Sequence, residues 1–227
     1  MKRFLMVLAL VGMFSCKGTV SGDFTADEVA LIREACIEGE ERSWPEGTMR
    51  VLTIEDPMDL AVLRSKSVDI SASSLLSDEY SALCSLMVAT VTHPSQDGVG
   101  IAGPQVGLNR RVVAVQRFDK EGEPFEVYPN ISIVWASDSS ALGGEGCLSV
   151  PDRRGEVLRS TEIVIEYDVT RSCGEGCEGC LEGDCADGSL DSGRTVETVR
   201  ETVNGFTAVI FQHEVDHLDG ILYIDRL

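Results

Sequence analysis

"FQHEVDHLDG", residues 211–220, sets two histidines four apart with an acid directly after the first. On an α-helix four residues advance about 6 Å and return to nearly the same face, so His213 and His217 can point at one metal ion. Glu214 lies one position round, where a carboxylate can take a proton from water at the metal's open position. The plain alternative is a chance match on a polar helix with solvated histidines. The chain has three histidines in all, His93, His213 and His217, and two of them fall at ligand spacing around a glutamate, which favours a metal site. His93, before Pro94 in a polar stretch, reads as a surface loop residue.

A third ligand is needed, and only ten residues follow His217. The pattern His-Glu-x-x-His-x-x-Gly-x-x-His overlays His213, Glu214, His217 and Gly220, then asks for histidine where Tyr223 stands, so it fails at its ligand. Asp219 and Asp225 stay open, although Asp219 would point to a different face of a continuing helix. Upstream, "GGEGCLSVP" (143–151) offers Cys147, and thiolate is a good ligand for a borderline-soft divalent ion. A Cys-His-His set with an open fourth position describes a catalytic site, whereas an isolated cysteine is usually a small buried hydrophobe. Farther upstream, "GVGIAGPQVGL" (98–108) alternates glycines with apolar residues, which lets another backbone approach closely, and the run after Arg111 is strand-like. Its spacing does not match a dinucleotide-binding Gly-x-Gly-x-x-Gly.

Taken together, these segments resemble peptide deformylase. Three motifs stand in the family's order: Gly98 to Gln105, Glu145 to Ser149, and His213 to His217. The resemblance covers about Val51 to Leu227 apart from an insertion, and includes the ending "GILYIDRL". Gly103 stands where the family usually has alanine, a small-for-small change expected to matter little. The resemblance implies an α+β domain, with antiparallel strands packed around a C-terminal helix that carries both histidines. The residues support this independently: Val112, Val113 and Val115, then Ile131, Ile133 and Val134, then Ile163 to Tyr167 are strand-like, and "NGFTAVIFQHEVDHL" (204–218) has helical periodicity.

The resemblance further implies that Cys147, His213 and His217 hold one Fe2+, with Zn2+ or Ni2+ as substitutes. Glu214 would carry the proton, and the Gln105 amide and Leu148 backbone N–H would donate to the developing oxyanion. The substrate would be an N-formylmethionyl peptide, and formate a product. For the methionine side chain, Phe206 and Ile210 share the histidine stripe, and Val99, Gly100 and Ile101 are candidates for the facing wall. Plain core packing is the competing reading of these apolar residues. Arg154 aligns with a family arginine after the cysteine motif. Two other functions stay open: a non-catalytic lipoprotein that binds formyl-peptides or metal, and a hydrolase of another N-acyl amine.

A length of 227 residues suits one catalytic domain plus extras. The net charge of −19 speaks against a nucleic-acid partner, since phosphate binding relies on clustered Lys and Arg. Oligomeric state is left open. The start, "MKRFLMVLALVGMFSC", reads as a signal peptide over 1–15 followed by a lipidated Cys16, although Met13 and Phe14 depart from the usual lipobox. This predicts an exported bacterial lipoprotein, anchored on the periplasmic or outer side and touching membrane only through its lipid. A cytoplasmic protein with an apolar N-terminal element is the alternative. Residues 16–48 are expected to be a tether containing a helix in "TADEVALIREACIEGEER", with Val29, Ala30, Ile32 and Cys36 as its apolar positions, and 49–227 the catalytic domain. At about 171–194, "RSCGEGCEGCLEGDCADGSLDSG" is too acidic and glycine-rich to build a core. Its Cys173, Cys177, Cys180 and Cys185 are expected to form two disulfides, with a tetrathiolate metal site as the rival. Cys36 and Cys84 are left as candidates to pair with each other.

Overall fold

The computed structural model describes residues 22–37, 43–172 and 194–227. The expected signal segment, the Cys16 anchor and the four cysteines of the insertion lie outside the described residues. The architecture is α+β, with every strand pairing antiparallel. Strands β1 (Gly100–Ala102), β2 (Val112–Gln116) and β3 (Phe125–Pro129) form one sheet in that order. Strands β4 (Ser132–Ala136), β7 (Glu162–Ser172) and β8 (Arg194–Asn204) form a second, while β5 (Ser140–Cys147) and β6 (Val150–Ser160) make a separate hairpin.

Two clusters share β2 as their wall. In a strand successive side chains point to opposite faces. Val112 and Ala114 therefore join a cluster built on α1 (Ala26–Ala35) and α4 (Asp78–Thr92), which follows the short helices α2 (Pro57–Leu63) and α3 (Ala72–Leu75), with Ile32, Leu83 and Met87. Val113 and Val115 join the other, where α5 (Gly205–Leu218) buries Ala208, Phe211, Val215 and Leu218 against Ile163, Ile165 and Val203. Burial on both faces explains the unbroken apolar run in β2. Helix α5 thus sits between the sheets, with the side bearing His213 and His217 turned to the β5–β6 hairpin. Among the described residues no helix is long and apolar enough to cross a membrane.

The N-terminal helix is built into this body. Thr25 and Glu28 form a reciprocal capping box. The Glu28 carboxylate also receives two bonds from the Arg110 guanidinium, at 2.7 and 2.8 Å. Ile32 and Ala35 are buried. Residues 26–35, expected within a tether, therefore pack into the same core as the residues after Met49.

Two expectations are corrected. Cys36 and Cys84 do not pair: both are free thiols. Cys36 caps the exposed end of α1, and the Cys84 thiol meets Tyr80 one turn back on its own helix. Gly103 is not interchangeable with alanine in this fold, because a Cβ there would stand 2.6 Å from the Arg110 carbonyl oxygen and 2.7 Å from that of Leu108. Both obstacles are backbone, so a turn of the chain would have to move.

Candidate active site

Helix α5 carries His213, Glu214 and His217, and the tight β5–β6 turn, Cys147-Leu148-Ser149-Val150, carries the thiol. The Cys147 sulfur and one ring nitrogen from each of His213 and His217 lie within 4.8 Å of one another. Among the described His, Cys, Asp and Glu residues, these three alone form such a group. The His217 Nε2 is 3.2 Å from the Cys147 Sγ. The His213 Nδ1 faces the Glu145 carboxylate at 2.8 Å, which leaves its Nε2 for the thiol side.

Glu145 belongs to a buried charged chain. It receives two bonds from Arg159 at 2.7 and 2.9 Å; Arg159 reaches on to Asp216 at 2.6 Å, and Asp216 meets Arg226. Burial opposes ionisation of Glu145, yet the Arg159 guanidinium and His213 hold its carboxyl down at about 2. Burial would also lower His213, but the Cys147 sulfur and Glu145 outweigh it and draw the imidazole up to about 10. Burial and the neighbouring His213 hold His217 well below its ordinary value. The surroundings thus favour positive charge beside a thiol and a neutral imidazole, and this donor set fits a borderline-soft divalent ion.

Glu214 is 4% exposed, and burial pushes its carboxyl up to about 7. Its Oε2 is buried with no hydrogen-bond partner among the described residues, as is the His217 Nδ1. A buried carboxylate oxygen without a protein partner is costly unless it meets water or ligand. Gln105 is fixed from one end: its side-chain oxygen accepts the Ala102 N–H at 2.8 Å. Its amide nitrogen points to Ser149 Oγ at 3.2 Å and Cys147 Sγ at 3.6 Å. Gln105, Glu214, and the Cys147 and His213 members of the candidate metal site therefore line one cleft of about 720 Å³, with His217 buried behind them.

The polypeptide deformylase profile matches residues 48–186 and 190–227. The chain belongs to the polypeptide deformylase family. A peptide deformylase of Leptospira biflexa is 31% identical over 185 residues, covering 78% of this chain and 87% of that one. One from Caulobacter vibrioides is 33% identical over 180 residues, again covering 78% and 87%. In structure, the class I type b peptide deformylase of Acinetobacter baumannii with Met-Ala-Ser bound superposes with a TM-score of 0.60. It is 32% identical and covers 79% of this chain and 98% of that one.

Most deformylase positions read from the sequence gather in this one cleft. Val99, Gly100, Gln105, Cys147, Leu148, Arg154, Phe206, Ile210, His213 and Glu214 line it, and His217 is buried behind Cys147. Ile101 is the exception. Gly100 and Ala102 face α5, so alternation turns Ile101, fully buried, into the α1–α4 cluster, and it lines no pocket wall. Asp219 and Asp225, left open as ligands, are engaged elsewhere: Asp219 with Arg111 at 3.0 Å and Asp225 with Arg64 at 3.0 Å. His93 sits at the end of α4 beside Ser95.

Sequence reading missed four contributors. Glu145 lies inside the quoted cysteine motif, and its place two residues before the thiol was the available signal. Asp216 lies inside the histidine motif in the same way. Arg159 gave none, being one arginine in a strand. Tyr223, rejected as a ligand, instead lies over the His213 ring at 6.0 Å with a 23° tilt.

Proposed function

We propose that the protein is a metal-dependent peptide deformylase that hydrolyses the formyl amide of N-formylmethionyl peptides to formate and a free amino terminus. The observation that carries the reading is Glu214: a buried carboxyl held near neutrality, with one oxygen unpartnered, beside three convergent ligand atoms. An acid–base group works best with a pKa close to the operating pH. Met-Ala-Ser bound to the Acinetobacter relative supports a peptide as the ligand class.

Cys147, His213 and His217 would hold Fe2+, with Zn2+ or Ni2+ as substitutes, and the bound ion would supply Lewis acidity. Glu214 accepts the proton from the attacking water and passes it to the departing amine. The Gln105 amide, already oriented by Ala102, donates to the formyl oxygen as it gains charge, together with the Leu148 N–H. Preorganised donors of this kind are worth about 3–4 kcal/mol each. Val99, Ile210 and Phe206 receive the methionine side chain, Gly100 leaves room beside Glu214, and Arg154 borders the peptide's path. Glu145 fixes the His213 ring by accepting its Nδ1–H.

Glu214→Gln tests the reading, because it keeps shape but removes the proton acceptor. Expected are full metal content, retained binding of formyl-Met peptide, and turnover lower by about 10²–10⁴-fold. An unchanged rate at equal metal content would overturn the mechanism. Formate release from formyl-Met beside acetate release from acetyl-Met peptides separates deformylation from hydrolysis of other N-acyl amines, and no release from either would leave a binding module.

The same reading includes export and lipidation at Cys16, supported by Lys2 and Arg3, the apolar run Phe4 to Phe14, and the cysteine after Ser15. Labelled palmitate should enter the wild type and not Cys16→Ala. Unlabelled protein in the cytoplasmic fraction would overturn it.

A further inference from the structure

The chain holds 38 acidic residues against 19 Lys and Arg, so an arginine without a carboxylate partner stands out. Arg50, Arg64, Arg110, Arg111, Arg117, Arg159 and Arg226 are all paired. Arg153 and Arg154 are exposed and line the cleft, and their side chains form no hydrogen bond or ion pair among the described residues. Asp97 and Asp152, which share the cleft's rim, pair with neither.

Their placement is built by a β-bulge. Cys147 pairs with Val150 and Glu145 with Gly155, so Gly146 alone stands opposite the four residues Pro151 to Arg154. Bulges bend a strand and re-aim its side chains. Asp152 sits in the left-handed region at φ 58°, and the two arginines follow it. The Arg154 side chain lies along Gly146, its Cζ 3.9 Å from where a Cβ would be. Two guanidinium groups therefore flank the approach to Cys147 with their donors uncommitted.

We propose that Arg153 and Arg154 select formyl-peptides carrying a carboxylate side chain downstream of the formylmethionine. This rests on the deformylase reading and deepens it by naming the substrate class. A guanidinium binds carboxylate through paired, charge-assisted bonds, and charges at a rim act on encounter and orientation in a salt-dependent way.

The test compares kcat/KM for formyl-Met-Ala-Asp, -Asn and -Lys amides, whose blocked C-termini leave only the side chain to vary. At low ionic strength the Asp peptide should exceed the Asn peptide by roughly three- to tenfold, with Lys lowest, and salt should compress the order. Arg153→Glu/Arg154→Glu should invert the order and Arg153→Gln/Arg154→Gln should flatten it, with metal content reporting integrity. Equal rates in the wild type, or an Asp preference that survives charge reversal, would overturn the inference while leaving deformylation intact. Failure of the wild type to cleave any of the three would overturn both.

Discussion

A Cβ on Gly100 would stand 2.5 Å from Glu214 Oε1 and 2.9 Å from the Ile210 side chain. The glycine of β1 thus sets where the carboxylate of α5 can rest. Gly100→Ala should push Glu214 out of line, and a displacement near 1 Å can cost about 10²-fold in rate. Formate release and metal content measured together should show turnover down by that order with the metal retained. Wild-type turnover would mean that β1 does not position the carboxylate.

Glu145→Gln should weaken metal binding. The amide can still accept the His213 Nδ1–H, but it carries no charge to hold the ring or to satisfy Arg159, whose side chain is only 4% exposed. Loss of such an outer partner typically costs about 10–100-fold in metal affinity. Competition with a chromophoric chelator measures it, and a titration curve superimposable on wild type would remove Glu145 from the account. Thermal stability should fall as well, because Arg159 is left with an incomplete set of buried partners.

Acid stability should draw on Asp119. Its bond from Arg117, a nearly fully buried guanidinium that also holds Glu201, keeps the carboxyl at about 2. A carboxyl depressed in the folded state stabilises above its unfolded value, near 3.9, and that contribution is lost as pH falls through about 2. Urea midpoints of wild type and Asp119→Asn should therefore differ by a constant amount above about pH 5 and converge as pH drops from about 4 towards 2. A gap that does not change across this range would show that Asp119 contributes through shape rather than charge.

The insertion should be dispensable for chemistry. The β7–β8 ladder ends with Ser172 opposite Arg194, so the strands are already side by side where the insertion joins them. A two-residue Asn-Gly turn suits such a junction. Replacing residues 173–193 with that turn should leave turnover per bound metal within a fewfold. Loss of metal from the shortened protein would assign Cys173, Cys177, Cys180 and Cys185 a role at the site.

The chemistry was more legible than the scaffold, for physical reasons. His213, Glu214 and His217 are local on one helix, so helical periodicity alone brings them together, and Cys147 ends β5 just before a two-residue turn, within its own motif. Residues that act across the fold left weaker traces. Arg159 and Arg226 converge on Asp216 from two different segments, and no spacing encodes that meeting. Strand β8 was hidden because "RTVETVRETVN" is half exposed and charged, paired along its full length to β7 rather than buried. Ile101 was assigned by hydrophobicity to the wrong face of its strand, since two apolar neighbourhoods flank β1. Gly103 looked replaceable because size alone was weighed, whereas the constraint is the pair of carbonyl oxygens against its Cα.

The clamp between Glu28 and Arg110 would limit how far the enzyme could reach from the lipid anchor proposed at Cys16. With Gly22 joined to the body through the Ser71 N–H, the five residues 17–21 would separate a lipid on Cys16, were the proposed anchor present, from the described domain, a span of at most about 20 Å when fully extended. A catalyst on so short a leash would work within a thin shell above the bilayer, its cleft restricted to a narrow range of tilts. Its substrates would then be those that pass close to the lipid surface, and lengthening the leash with a flexible spacer would widen the volume it patrols without touching its chemistry.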